Sequence, residues 1–159
     1  MNIRVGFGFD VHQLEKGEYI VLGGISIESS KKATGHSDAD VLIHAICDAL
    51  LGAAGLRDIG VQFPNNDPAY KGIDSKILLS KVMDMVRVKG YQLANIDATV
   101  CLENPKINPH IEKMIKTLAQ TMQVSEDQIS IKATTNEGIG YVGREDGVNA
   151  YAVALVMKN

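Results

Sequence analysis

The sequence predicts an α/β chain of the α+β type, with a small mixed β-sheet and about three helices packed on one face. Segments with the two-residue period of strands alternate with segments that have the 3.6-residue period of helices. A length of 159 residues, with no linker rich in Pro, Gly or Ser, favours one domain over residues 1–159. The last strand is apolar on both faces, which indicates that the sheet is also covered from its second side.

The first predicted strand, residues 3–12, is interrupted by glycines and carries Asp10 and His12 two positions apart. Side chains two apart on a strand point to the same face, so these two can act on one ligand. A hairpin is predicted over residues 19–27, with its turn at Gly23 and Gly24. The polar residues 28–34 are expected to form a surface connection.

The central helix is the segment around which the chain is organised. Its expected N-cap is Ser37 or Asp38, and Gly55 is its expected stop. One stripe of the helix carries three polar residues spaced four apart: Asp40, His44 and Asp48. The opposite side is an apolar core face. Polar groups along the edge of a buried helix cost free energy unless they bind something, which favours a ligand there.

The remainder of the chain predicts two further helices, two more strands and the closing strand. Residues 56–72 lack periodicity and are expected to be a functional loop. A helix capped by Asp74 or Ser75 should end at Gly90 and bury Ile77, Leu78, Val82, Met85 and Val86. A strand over residues 93–102 and a turn over 103–109 lead to the third helix, which starts at Asn108 and Pro109 and runs to about residue 123. Strands over 129–133 and 148–157 flank an irregular, glycine-rich stretch.

The composition excludes several functional classes. A net charge of −3 argues against a broad nucleic-acid surface, and no apolar run is long enough to span a membrane. Cys47 and Cys101 lack metal-type spacing and are expected to be buried thiols in a reducing compartment. Because the chain starts directly with a strand, the cytoplasm is the expected location. A cleaved organellar targeting segment ahead of this sequence is the alternative.

Two histidines and an aspartate form the candidate metal site. Asp10 and His12 supply two ligands from a strand, and His44 supplies a third from the helix. A His₂Asp set with an open fourth position is typical of a catalytic zinc site. Asp40 or Asp48 is expected to orient a ligating histidine. The alternative is that His44 is a core histidine that hydrogen-bonds to Asp40 or Asp48 without any metal.

Five stretches, in this order and spacing, resemble the 2-C-methyl-D-erythritol 2,4-cyclodiphosphate synthase family over essentially the whole chain. They are GFDVH at 8–12, GHSDADVLIHAICDALLGAAGLRDIG at 35–60, FPNNDPAYKG at 63–72, PKINPH at 105–110 and KATTNEGIGYVGREDG at 132–147. The resemblance implies a homotrimer with the sheets facing the threefold axis, and active sites between subunits.

The resemblance also implies roles for single residues. Asp10, His12 and His44 would bind Zn²⁺, and Glu137 would bind a second divalent ion, Mg²⁺ or Mn²⁺. His36 and Thr135 would stabilise the transition state. The implied contacts to a cytidine diphosphate substrate are Ser37, Asp48, Asp58, Ile59, Gly60, Phe63, Asn65, Asp67, Leu102, Pro105, Lys106, Ile107, Asn108, Lys132, Thr134, Tyr141 and Arg144. Asn65 stands where many members have Asp, and Tyr141 stands where Phe is common.

The implied activity is that of a phosphorus-oxygen lyase in the non-mevalonate isoprenoid pathway. The enzyme would convert 4-diphosphocytidyl-2-C-methyl-D-erythritol 2-phosphate to 2-C-methyl-D-erythritol 2,4-cyclodiphosphate and CMP. Such phosphoryl transfer requires positioning and charge neutralisation more than a protein nucleophile. Two alternatives stay open: a zinc-dependent phosphohydrolase, and a non-catalytic trimer that binds prenyl diphosphates.

Overall fold

A five-stranded mixed sheet and a separate two-stranded hairpin form the β-structure of the computed structural model, which describes residues 2–64 and 66–158. The strands are β1 (Asn2–Lys16), β2 (Tyr19–Leu22), β3 (Ile25–Glu28), β4 (Lys31–Thr34), β5 (Gln92–Cys101), β6 (Ile129–Thr134) and β7 (Gly147–Lys158). The helices are α1 (Val41–Ala53), α2 (Ile59–Gln62), α3 (Ser75–Val88), α4 (Ile111–Met122) and α5 (Gly140–Gly143). Single 3₁₀ turns lie at Pro68–Tyr70, Asn108–His110 and Glu126–Gln128.

The sheet has the strand order β4-β1-β7-β5-β6, in which only β5 and β6 run parallel. The predicted mixed sheet is therefore confirmed. Helix α1 packs against β1 and β7, and α4 packs against β6, while α3 contacts both α1 and α4. The core lies between the sheet and these helices, and it includes Leu42, Ile46 and Leu50 of α1, all of which are fully buried.

Some predicted details were wrong. Residues 28–34 are not only a connection, because β4 pairs with residues 13–16 of β1 at the edge of the sheet. Its polar sequence resembles a loop because an edge strand tolerates charged side chains. The N-cap of α1 is Asp40, rather than Ser37 or Asp38. The third long helix begins after a 3₁₀ turn rather than at Asn108 itself.

Helix α3 also differs in one part of its buried face. Asp74 is its N-cap and Gly90 follows its end with φ +80°, as predicted. The buried side chains include Leu78, Leu79, Val82, Met83 and Val86. Ile77, which was expected to face inward, is 49% exposed. It lies one position before the buried stripe and therefore turns about 100° away from it.

The second face of the sheet is apolar, and among the described residues none of the three long helices α1, α3 and α4 covers it. Alternate residues of β1 and β7 are partly or largely exposed on this face: Ile3, Val5, Phe7, Phe9, Val11, Tyr151 and Val153. Phe9 and Tyr151 pair across the two strands with ring centroids 5.1 Å apart. The prediction that β7 is apolar on both faces is confirmed, since Val148, Ala150, Ala152, Ala154 and Val156 are buried on the other side. Among the described residues, no helix has both the length and the apolar character needed to cross a membrane.

Strand β1 and helix α1 approach each other at backbone distance because two glycines face the helix. A Cβ atom on Gly8 would lie 1.9 Å from the Ala45 carbonyl oxygen, and one on Gly6 would lie 1.9 Å from that of Ala49. Atoms cannot approach so closely, so only glycine fits at either position. The helix contributes alanines at the same contact. Asp10 and His12 continue the helix-facing side of β1 beyond these glycines.

This contact yields a stability prediction. Gly8→Ala should lower the free energy of unfolding by about 3 kcal/mol or more, because the added methyl group meets helix backbone that cannot move aside locally. Gly52→Ala, in α1 but with its nearest contact at 4.0 Å, is the matched control and should be neutral or stabilising by up to ~1 kcal/mol. Urea denaturation of the two variants tests the difference, and equal losses would contradict it.

Candidate metal centre

Three side chains of the kinds that bind metal ions meet where β1 crosses α1. The Asp10 Oδ2 atom lies 3.0 Å from His12 Nε2 and 3.0 Å from His44 Nδ1. The two ring nitrogens are 3.1 Å apart. A tetrahedral zinc ion about 2.0 to 2.1 Å from its ligands holds neighbouring ligand atoms about 3.3 Å apart. The three atoms therefore fit a single divalent cation with only a small outward adjustment.

The two elements place these side chains for reasons visible in the sequence. Asp10 and His12 share one face of β1 because they are two residues apart, as predicted. His44 lies in the first turn of α1, on the side that faces β1. The three side chains are partly buried rather than enclosed, which leaves one side of the cluster open. This arrangement agrees with a metal site that has a vacant coordination position.

In each histidine ring, the nitrogen that faces away from the cluster also has a hydrogen-bond partner. His12 Nδ1 donates to the Thr34 carbonyl oxygen of β4 at 3.0 Å, which leaves the lone pair of Nε2 directed at the cluster. His44 Nε2 lies 2.9 Å from Ser75 Oγ and 3.0 Å from Ser37 Oγ. Both serines lie outside the helix that carries His44. Such outer partners orient the ligands of metal sites.

The expectation that Asp40 or Asp48 orients His44 was wrong. The fully buried Asp40 carboxylate accepts hydrogen bonds from the backbone N–H groups of Gly23, Gly24 and Ile43, at 3.0, 2.7 and 3.0 Å. It caps α1 and fixes the turn between β2 and β3. Asp48 accepts from the Ile59 N–H at 2.7 Å, and this contact holds the start of α2. Burial raises the pKa of both carboxyl groups, and these backbone hydrogen bonds oppose it.

The electrostatics of the cluster favour a bound cation. Burial disfavours the charged form of Asp10, but the adjacent His12 and His44 rings outweigh this effect and lower the pKa of Asp10 to about 2. For His44, burial disfavours the charged ring, yet the adjacent Asp10 carboxylate outweighs this effect and raises the pKa of His44. The carboxylate thus attracts positive charge to the point where the ring nitrogens converge. A divalent cation bound at that point can supply this charge.

A pocket opens beside the three ligands. It is lined by Asp10, His12, His36, Ser37, His44, Ile59, Gly60, Phe63, Tyr70, Ile73 and Leu78. Within residues 2–64 and 66–158, the buried His36 Nε2 atom has no hydrogen-bond partner. An unpaired buried nitrogen at the wall of a pocket is costly unless a ligand satisfies it. The pocket therefore has the features of a polar ligand site next to a metal.

The loop after α1 builds the outer wall of this pocket. Asp58 caps α2 through the Val61 N–H at 3.1 Å, and Phe63 packs edge-on against Tyr70 with ring centroids 5.4 Å apart. Asp67 accepts from the Ala69 N–H at 2.9 Å and so shapes the following 3₁₀ turn. Asn65 was predicted as a substrate contact, and it lies outside the described residues. Tyr70, Ile73 and Leu78 line the pocket but were not among the predicted site residues, and Leu78 was expected to belong to the core.

A second pocket lies elsewhere on the chain. It is lined by Leu102, Pro105, Lys106, Ile107, Asn108, Ala133, Thr134 and Thr135. Within one chain, His36 and Thr135 thus line different pockets, although both were predicted to act on one transition state. The predicted site residues are therefore divided between two surfaces of the chain.

The other predicted residues surround the second pocket or lie on the nearby glycine-rich segment. Thr135 Oγ1 donates to Glu137 at 3.3 Å, and among the described residues Glu137 belongs to no group of three metal-type side chains. Lys132 forms an ion pair with Asp97. Asn149 Nδ2 donates to the Tyr141 hydroxyl at 2.6 Å, and Arg144 pairs with Asp146 at 2.9 Å.

Comparison with known proteins extends these observations. The YgbB family profile matches residues 3–157. The 2-C-methyl-D-erythritol 2,4-cyclodiphosphate synthase of Cytophaga hutchinsonii is 61% identical over 158 residues, which cover 99% of each chain. This level of identity over the full length indicates common descent as well as a common fold.

Solved structures agree with the sequence comparison. A 2C-methyl-D-erythritol-2,4-cyclodiphosphate synthase in its CDP-bound form superposes with a TM-score of 0.89 at 37% identity, covering 97% of this chain and 100% of its own. The bifunctional IspDF from Campylobacter jejuni superposes with a TM-score of 0.95 at 37% identity over 99% of this chain. This chain spans 43% of the bifunctional protein. The profile match and the full-length relatives show that the chain belongs to the YgbB family, which includes the 2-C-methyl-D-erythritol 2,4-cyclodiphosphate synthases.

Proposed function

We propose that this protein cyclises 4-diphosphocytidyl-2-C-methyl-D-erythritol 2-phosphate to 2-C-methyl-D-erythritol 2,4-cyclodiphosphate, with release of CMP. The observation that carries the proposal is the cluster of Asp10, His12 and His44 beside a pocket, in a chain that matches synthases of this name over its full length. The proposal includes zinc at this cluster, because His₂Asp sets with an open position favour that ion.

The reaction is an intramolecular phosphoryl transfer. An oxygen of the 2-phosphate forms a bond to the β-phosphorus, the bond between that phosphorus and the bridging oxygen breaks, and CMP leaves with the bridging oxygen. The bound metal would supply a Lewis acid that neutralises charge on the β-phosphate. No protein nucleophile is required, because the substrate contains both reacting groups.

Two residues beside the cluster support this proposal. His36, whose Nε2 has no partner in the described part of the chain, would donate a hydrogen bond to the diphosphate, and the Ser37 hydroxyl also lines the pocket. Removal of one such donor typically costs about 3 kcal/mol of transition-state stabilisation. The predicted contacts to the methylerythritol group in the outer wall are Asp58, Ile59, Gly60, Phe63 and Asp67. The role of Asn65 remains a prediction.

We also propose that a neighbouring subunit completes the active site. The second pocket would bind the cytidine part of the substrate, and Glu137 of that subunit would hold a second divalent ion, Mg²⁺ or Mn²⁺. Support comes from the division of the predicted residues between two pockets and from the CDP-bound relative. Lys132, Tyr141 and Arg144 remain predicted substrate contacts in this arrangement.

The assembly proposed is a homotrimer whose sheets face the threefold axis. The uncovered apolar face of β1 and β7 supports it, because monomeric proteins rarely expose contiguous apolar patches of this kind. Each subunit would be one catalytic domain, and the expected location is the cytoplasm. The net charge of −3 argues against a broad nucleic-acid surface, and the absence of nucleic-acid partners stays a prediction.

Incorporation of solvent oxygen into the products tests whether the reaction is a cyclisation. In H₂¹⁸O, the cyclase should release one CMP per cyclic diphosphate and incorporate no solvent oxygen into either product. A zinc-dependent phosphohydrolase, which the metal cluster alone also permits, would give a linear product that contains ¹⁸O. Mass spectrometry of the products distinguishes them, and the labelled linear product would overturn the proposal. A trimer that only binds prenyl diphosphates would release no CMP.

Loss of a metal ligand tests the metal centre. His44→Ala should weaken zinc binding and reduce the rate of CMP release, each by more than roughly 100-fold, since a ligand contributes more than its outer partners. His110→Ala removes the histidine that lies outside the pocket beside the metal cluster and serves as the control for zinc content. Zinc is measured by atomic absorption after dialysis. One retained equivalent in His44→Ala would contradict the assignment.

A charge on the exposed sheet face tests the assembly. Phe7→Glu places a carboxylate on this face, where Phe7 is 62% exposed in the single chain, and should give monomers without cyclase activity. Val88→Glu, at the end of α3, alters a side chain that is 88% exposed and should leave the assembly intact. Light scattering measures the mass of each variant. A fully active Phe7→Glu monomer would exclude active sites shared between subunits.

A further inference from the structure

Two residues beyond the predicted site are linked to the outer edge of the His44 ring. Ser75 is fully buried at the start of α3, and its Oγ atom lies 2.9 Å from His44 Nε2. The same hydroxyl group donates to Asp38 Oδ1, while the Ser75 backbone N–H donates to Asp38 Oδ2 at 2.9 Å. Asp38, Ser75 and His44 therefore form a chain of hydrogen bonds that ends at the metal cluster.

The donors and acceptors in this chain determine where the hydrogen on His44 lies. A carboxylate only accepts hydrogen bonds, so the single hydroxyl hydrogen of Ser75 is committed to Asp38. Ser75 Oγ can then offer only a lone pair to His44 Nε2. The neutral ring must therefore donate from Nε2, which leaves Nδ1 without a hydrogen and free to bind a cation.

If Ser37 were the only partner of His44 Nε2, the hydrogen of the ring could lie on either nitrogen. Its Oγ lies 3.0 Å from the same His44 Nε2 atom and can either accept from the ring or donate to it. If Ser37 donated, the ring hydrogen would move to Nδ1 and would occupy the side that faces Asp10 and His12. The contact with Ser75 excludes that arrangement, because Ser75 cannot donate while it is bound to Asp38.

We propose that Asp38 and Ser75 are positioning residues that hold His44 in the tautomer with hydrogen on Nε2, and so prepare Nδ1 for zinc. The inference rests on the metal centre of the proposed function and extends it to two residues that line neither of the two pockets. It gives His44 the counterpart of the Thr34 carbonyl group, which sets the tautomer of His12.

Ser75 could also act only by stabilising the start of α3, and a control variant separates that role from the positioning of His44. The N-cap of α3 is Asp74, whose Oδ1 atom accepts from the Lys76 N–H at 2.9 Å. Among the described residues, the other polar contact of the Asp74 side chain is with the Lys76 ammonium group. Asp74→Ala should therefore weaken the same helix start without any change at His44. It is the matched control for Ser75→Ala.

The test measures zinc affinity of the full-length chain by competition with a chromogenic chelator. Ser75→Ala should raise the zinc Kd roughly 10- to 100-fold, as expected when the outer partner of a metal-binding histidine is lost. Asp74→Ala should bind zinc like the wild type even if its melting temperature falls. Ser75→Thr keeps the hydroxyl group and should recover most of the affinity.

The outcomes separate this inference from the proposed function. Zinc binding by Ser75→Ala at the wild-type Kd would overturn the positioning role and leave the metal centre intact, whereas a wild-type chain that binds no zinc would overturn both.

If Ser75→Ala does not fold, the zinc affinity of the Asp38→Asn variant tests the inference instead. The side-chain amide that this substitution introduces can donate to Ser75 Oγ and release the hydroxyl hydrogen toward His44. Zinc binding should therefore weaken in Asp38→Asn as well. Unchanged affinity in this variant would overturn the inference.

Discussion

The backbone contact between β1 and α1 is the constraint on which the rest of the structure depends. Gly6 and Gly8 allow the strand to approach the carbonyl groups of Ala45 and Ala49 directly. With any side chain at these positions the two elements would have to separate, and His44 would move away from the ligands on β1. The ligand atoms, now 3.0 to 3.1 Å apart, would then no longer share a cation. Glycines in a strand interior cost stability, and here they are required by the geometry of the site.

The N-terminus of α1 connects this contact to the surrounding elements through two acids with separate roles. Asp40 caps the helix and binds the turn of the β2–β3 hairpin, while Asp38 binds the start of α3 through Ser75. Ala39 between them adopts a left-handed conformation with φ 59°. This conformation costs an L-residue about 1 kcal/mol or more, and it directs the two neighbouring carboxylates to different partners. The strain therefore lies close to the metal ligand His44.

The division of polar residues between two pockets relates the fold to its assembly. One face of the sheet supports α1 and the metal cluster, and the other face is an apolar surface of β1 and β7. Burial of that surface by other subunits would stabilise the sheet and bring a second pocket to each metal cluster. The same strand β1 thus serves both purposes, since its alternate residues face the helix and the apolar surface.

The sequence by itself determined the order of the elements, the mixed sheet, the doubly apolar last strand and the three metal-type residues. These features are local: Asp10 and His12 share a face because strands have a period of two, and His44 lies on the polar stripe of a helix. The sequence did not reveal which group orients His44. The four-residue spacing favoured an acid of the same stripe, yet the partners are Ser37 and Ser75, and Ser75 lies 31 positions away. Periodicity reports only on neighbours within one element, whereas this contact exists because α3 packs on α1, and only the tertiary structure decides that.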